Sequence, residues 1–309
     1  MNISTRLHDN EVIIIDGAMG TELQRRGASM DFEIWSAAAL LNNPDLIRDI
    51  HFDYLNVGAE IQIAATYNTA PHVINPSSFD TTSQEFTATA MRLVREAIDR
   101  AEPARQVWIA GSISTTVESR RKEMLDIGML RDSFTEHAEN LAEQGCDLLM
   151  LEMMLTHEFA IDLDFQAEIV SIAKQTGLPV WVGIAVKMNE SGELHLQDGS
   201  EHTAADLTKG IQALLAEGAD VAGIMHSEVE ATLPALKLLE QYWSGPIAVY
   251  PNSGHYQRPT WYFDDIISPE IFASEAKQWA QHGVNAIGGC CGIGPEHIAE
   301  LSKSLGQTD

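Results

Sequence analysis

The feature that most constrains how this chain can fold is an alternation repeated along nearly its whole length: short apolar, β-branched runs separated by longer amphipathic stretches. The runs at 12–15, 60–64, 107–110, 147–151, 180–184, 221–224, 247–250 and 286–288 are too short for helices and rich in Val and Ile, so they read as strands. Between them, apolar residues recur at helical spacing over roughly 44–57, 83–101, 130–144, 158–175, 204–217, 229–242, 269–281 and 295–304. Strands that are apolar on both faces and alternate with helices predict a parallel sheet built from βα units. Eight such units close most naturally as an α/β fold of the (β/α)8 TIM-barrel type, with an open doubly wound sheet as the alternative. No Pro-, Gly- or Ser-rich linker divides the chain, so residues 1–309 are expected to form a single barrel domain.

A barrel of this kind carries its chemistry where the strands run out at their C-terminal ends. The residues found there are Asp16, Thr66, Ser112, Glu152, His226, Asn252 and the pair Cys290-Cys291. Any one of them is explained by a turn or a helix cap, but convergence on one face predicts a polar pocket. The cysteine pair stands in Ile287-Gly288-Gly289-Cys290-Cys291-Gly292. Adjacent cysteines form a poor disulfide, whereas a glycine-rich turn lets both thiolates reach one zinc ion. The alternative is two small apolar side chains buried in a tight turn. Cys146, just before the fourth strand, is expected at the opposite end of the barrel as a core residue. His72, His137, His157, His195, His202, His255, His282 and His297 have no ligand-like spacing and are expected at the surface or at helix ends. Asp198-Gly199-Ser200 reads as an ordinary turn.

Charge narrows the function classes. A formal charge of −26 opposes the phosphate backbone of a nucleic acid and mildly favours cationic ligands. No apolar run has membrane-spanning length, and the opening Met1-Asn2-Ile3-Ser4-Thr5-Arg6 lacks the apolar core of a secretion signal. Three cysteines make no disulfide framework. These observations lead to the expectation of a soluble cytoplasmic protein whose partners are small molecules, with neither nucleic acid nor membrane among them.

One set of motifs is more specific. Asp16-Gly17-Ala18-Met19-Gly20-Thr21-Glu22-Leu23, Trp35-Ser36, His51 with Tyr54, Gly58-Ala59-Glu60 and Thr66-Tyr67 are followed by Tyr250-Pro251-Asn252-Ser253-Gly254. Gly288-Gly289-Cys290-Cys291-Gly292 and Pro295-Glu296-His297-Ile298 complete the series. In order and spacing, over nearly the whole chain, they resemble the homocysteine S-methyltransferases. The resemblance implies a zinc-dependent barrel enzyme that moves a methyl group from an activated donor, S-methylmethionine or S-adenosylmethionine, to the thiol of homocysteine, giving methionine. It also implies that Asp16 and Glu152 bind the amino group of homocysteine. Ser112 and Thr66 are candidates for its carboxylate or for loop closure, Asn252 for the metal site or its turn, and Trp35 and Tyr67 for a methylated cation or for packing.

The chain departs from the family pattern in three places. Where family members carry a zinc cysteine in a sequence like Gly-Ile-Asn-Cys, this chain reads Gly223-Ile224-Met225-His226, so the implied ligands are His226, Cys290 and Cys291. Imidazole is a competent zinc ligand, but it removes one negative charge from the site. Ala65 stands for the usual asparagine and Ser114-Thr115 for the usual Gly-Pro. Two alternatives follow. One is a component that demethylates a small quaternary amine or sulfonium and passes the methyl group to a corrinoid protein; the other is a non-catalytic small-molecule-binding barrel. No cobalamin or folate domain is expected beyond the barrel.

Overall fold

The computed structural model describes residues 2–8, 11–115, 126–156, 163–197, 204–257 and 259–306. Asp198-Gly199-Ser200, His157, His202 and the first residues expected of the fourth helix lie outside them.

The expected strands form one eight-stranded parallel sheet. They are β1 (Ile13–Ile14), β2 (Ile61–Ile63), β3 (Trp108–Ser114), β4 (Leu148–Met154), β5 (Val180–Ile184), β6 (Val221–Glu228), β7 (Ile247–Asn252) and β8 (Ala286–Ile287). Consecutive strands pair from β2 through β8, and β8 pairs with β1. A parallel bridge from Ile15 to Ile61 then joins β1 to β2 and closes the ring. The fold is therefore a (β/α)8 barrel, and the open sheet is excluded. Its main helices are α1 (Pro44–Asn56), α2 (Ser83–Ala101), α3 (Ile127–Glu143), α4 (Leu163–Lys174), α5 (Ala204–Ala216), α6 (Val229–Leu239), α7 (Pro269–Gln281) and α8 (Pro295–Ser304).

Local sequence explains the boundaries. Thr82 and Glu85 form a reciprocal capping box that starts α2, and Asp126 and Ser268 accept backbone N–H groups at the starts of α3 and α7. Two antiparallel hairpins interrupt the regular βα rhythm: Val186–Met188 with Leu194–Leu196, and His255–Gln257 with Thr260–Tyr262. Neither was expected, because each strand is only three residues long and lacks a sustained alternation.

Side-chain phase divides the core in two. Residues such as Ile14, Leu149, Leu151 and Val182 face the helices, whereas Ile13, Ile15, Trp108, Ala110, Leu148, Met150, Trp181 and Ala248 fill the barrel interior. Ile3 and Leu7 plug its N-terminal end. There Arg6, 5 % exposed, donates to both oxygens of the buried Glu60. Cys146 is buried against Gly111 on the helix side of the sheet, and burial lifts its thiol pKa to about 12. The histidines correct one expectation. His72 and His137 are buried rather than at the surface, whereas His297, also buried, caps the start of its own helix as expected and bonds the carbonyl of Ile267. No helix among the described residues is long and apolar enough to cross a membrane.

Candidate active site

Continuing the inward phase of the strands past the apolar layers brings polar side chains to the barrel mouth. After Trp108 and Ala110 comes Ser112; after Leu148 and Met150 comes Glu152; after Ala248 and Tyr250 comes Asn252; after Ala286 and Gly288 comes Cys290. His226 does not follow this rule. On β6 the phase through Val221 and Met225 would direct residue 227 inward. A register shift between Met225 and Glu228, with His226 itself at φ 52°, turns the imidazole into the mouth instead. β4 has a matching shift between Leu151 and Met154, with Met153 at φ 58°. Left-handed backbone at a non-glycine residue costs on the order of 1–3 kcal/mol, so strain is concentrated beside Glu152 and His226.

These side chains face one another. His226 Nε2 lies 2.6 Å from Glu152 Oε2, and His226 Nδ1 lies 3.3 Å from Cys290 Sγ. The Cys290 and Cys291 sulfurs are 3.8 Å apart, Cys290 buried and Cys291 partly exposed. Ser112 Oγ donates to the other oxygen of Glu152. The Ser112 backbone N–H donates to Thr66 Oγ1 at 3.0 Å, and Thr66 Oγ1 donates to the Ser112 carbonyl at 2.9 Å. Burial disfavours a charged ring at His226, but Cys290 beside Nδ1 and Glu152 on Nε2 outweigh it and raise the ring to about 10. The bond to Cys291, with burial, holds the Cys290 thiol well above the ordinary range. Among the described residues, no group of three or more His, Cys, Asp or Glu side chains is gathered closely enough to hold a metal ion as it stands.

The cluster opens into a cavity of about 460 Å³, lined by Ser112, Glu152, His226, Asn252, Cys290 and Cys291. Two candidates sit behind its wall. Asp16, 2 % exposed, accepts the Ile63 N–H at 2.8 Å and faces the Tyr250 hydroxyl at 3.4 Å. Burial raises its carboxyl pKa well above the usual range despite those bonds. Thr66 is fully buried and spent on Ser112.

The outer wall is aromatic. Trp35 and Tyr67 line it, together with Tyr256 and Trp261 of the second hairpin, which the sequence did not single out. The Trp35 ring lies so close to Gly20 that a Cβ there would come within 2.5 Å of it, one reason for the glycine after Met19. Among the described residues, the cavity lining includes Asp31, Glu33 and Glu152 but neither Lys nor Arg. Asn68, Gln197 and Asn252 also reach it, each with a buried amide oxygen that has no hydrogen-bond partner among the described residues. Gln197 escapes a sequence search because it follows an unforeseen hairpin.

Comparison with known proteins gives a consistent result. The family model for homocysteine S-methyltransferase matches residues 13–305. The chain is 28 % identical to a homocysteine S-methyltransferase of Escherichia coli (strain K12), covering 96 % of each. It is 27 % identical to a selenocysteine methyltransferase of Astragalus bisulcatus, over 94 % of this chain and 92 % of that one. The crystal structure of the homocysteine methyltransferase MmuM from Escherichia coli in its metallated form superposes with a TM-score of 0.74. That match has 26 % identity over 95 % of this chain and 96 % of the other.

Proposed function

The chain belongs to the homocysteine S-methyltransferase family, and from that premise we propose that it is a zinc-dependent enzyme methylating homocysteine from a cationic donor, with His226, Cys290 and Cys291 as the metal ligands. The observation that carries the proposal is the pair of contacts Cys290 makes, one to Cys291 and one to His226. Two sulfurs bound to one tetrahedral zinc ion sit roughly 3.8 Å apart, and a sulfur and an imidazole nitrogen roughly 3.5 Å apart. The Cys290–Cys291 and Cys290–His226 separations are 3.8 and 3.3 Å. Glu152 on Nε2 leaves Nδ1, the nitrogen facing Cys290, as the coordinating atom. The metallated form of the MmuM relative supports the same reading.

Held there, zinc would supply the Lewis acidity that lets a thiol be present as its thiolate near neutral pH. The chain's own residues do the rest. Cys290 and Cys291 stand at the cavity wall, and the amide oxygens of Asn252, Asn68 and Gln197 offer acceptors to a substrate N–H. Aromatic faces at Trp35, Tyr67, Tyr256 and Trp261, with the carboxylates of Asp31, Glu33 and Glu152 in the same lining, suit a sulfonium or quaternary ammonium. S-Methylmethionine and S-adenosylmethionine both fit that charge. In the transfer, the acceptor sulfur bonds to the methyl carbon as the donor's C–S bond breaks. The bonding pair stays on the donor sulfur and the thiol proton leaves to solvent, so charge is neutralised in the cavity rather than created.

The test crosses homocysteine and other thiols with S-methylmethionine, S-adenosylmethionine and small quaternary amines, with zinc supplied and metal content measured. Methionine formation with a stoichiometric metal ion is the expected result. Ligand binding without turnover at any donor would refute the enzymatic reading, and transfer only to a corrinoid would refute the acceptor.

A further inference from the structure

Glu152 is occupied at both oxygens, by His226 Nε2 at 2.6 Å on one and by the Ser112 hydroxyl on the other. Ser112 is in turn locked to Thr66 through its own N–H and carbonyl. These form a continuous chain, Thr66 to Ser112 to Glu152 to His226, ending at Cys290. The strand phase of β4 brings Glu152 inward, and the register shift on β6 turns His226 toward it. Nothing in a site of three thiolates would need such a partner, because a sulfur carries no second atom to be held. An imidazole does: its free nitrogen must keep the proton if the other is to bind metal.

Resting on the metal reading above, we infer that Glu152 is a positioning residue for His226, holding Nδ1 toward the metal, and is not the reader of the acceptor's ammonium group. Thr66 and Ser112 serve the same end by fixing the carboxylate. Asp16 does not replace Glu152 as the reader, since it lies behind the cavity wall with its oxygens on the Ile63 N–H and beside the Tyr250 hydroxyl. Recognition of the amino group therefore passes to the unpartnered amide oxygens in the cavity, and a thiol lacking that group should lose nothing at Glu152.

A double-mutant cycle on zinc affinity, measured by chelator competition, tests this. Glu152→Gln should weaken zinc about 10- to 100-fold when residue 226 is histidine. In the His226→Cys background, where no ring needs holding, the same change should have no more than a twofold effect. Ser112→Ala should weaken zinc severalfold in the native background, which guards against a folding defect peculiar to Glu152→Gln. In the zinc-loaded protein, the His226 Nε2 proton should show the downfield shift of a bond to a carboxylate, and Glu152→Gln should lose that shift. The KM ratio of homocysteine to 4-mercaptobutanoate should stay constant in that variant. Equal zinc affinities in wild type and Glu152→Gln, equal losses in both backgrounds, or a selective rise in the homocysteine KM would each overturn the inference. A wild-type protein that binds no zinc would instead overturn the metal reading, and the inference with it.

Discussion

Replacing Gly292 by alanine attacks the turn that presents Cys291, and the structure fixes what it should cost. Gly292 has φ +82°, and an added Cβ would lie 2.1 Å from the Ser253 carbonyl oxygen. Neither partner is free to retreat. The Ser253 N–H donates to the Cys291 carbonyl at 2.9 Å, and the Gly292 N–H donates to Thr21 Oγ1 at 3.0 Å. Left-handed backbone with a side chain costs about 1–2 kcal/mol, and forced overpacking about 1–3 kcal/mol more. The sum, about 2–5 kcal/mol, corresponds to a fall in Tm of roughly 3–8 °C in a domain of this size. Gly27 supplies the control: its φ is +89°, but a Cβ there meets nothing within 4 Å. Gly27→Ala should thus cost only the backbone share, and its difference from Gly292→Ala isolates the collision. Because relief comes only from moving the turn, Gly292→Ala should also weaken zinc binding, whereas Gly27→Ala should not. Thermal unfolding of the metal-free proteins and zinc competition measure both effects. A Gly292→Ala protein no less stable than Gly27→Ala, with native zinc affinity, would refute the claim that this close approach sets the ligand turn.

Three further outcomes follow. Burial lowers His51 and His137 from the ordinary 6.5 to about 4, so both fold as neutral rings and take up protons on unfolding below pH 6.5. Their stabilisation is complete above 6.5 and lost as pH falls toward 4, at about 1.4 kcal/mol per pH unit for each, and denaturant titrations across that window should show the decline weakened in His51→Gln. Arg6 and Glu60 form a buried pair, so Arg6→Ala should cost about 3 kcal/mol by leaving a buried carboxylate, while a paired replacement by apolar residues should recover most of it in urea unfolding. Burial lifts the Cys146 thiol to about 12, so mass mapping after iodoacetamide at pH 8 should find Cys291 modified and Cys146 untouched until the protein unfolds.

The barrel was legible because its strands are apolar on both faces and its helices carry clear stripes and caps; the eight expected strands and their helices reappear within a few residues. The inward period of two also made Ser112, Glu152, Asn252 and Cys290 readable as mouth residues. Two things were not legible. A β-bulge leaves no periodic signature, so strand phase alone would have pointed residue 227, not His226, into the cavity. Nor does position at a strand end distinguish a side chain that faces the cavity from one that ties two strands together. Asp16 and Thr66 are of the second kind, holding the Ile63 N–H and Ser112 from behind the wall. The aromatic hairpin with Tyr256 and Trp261 was hidden for a third reason: three-residue strands carry too few alternations to register.

X-ray absorption at the zinc edge of the loaded protein tests the central claim most directly. The account predicts two sulfurs at about 2.3 Å and one imidazole nitrogen at about 2.0 Å from zinc, with a third sulfur entering when homocysteine is added. A shell of nitrogen and oxygen alone, unchanged by homocysteine, would contradict it.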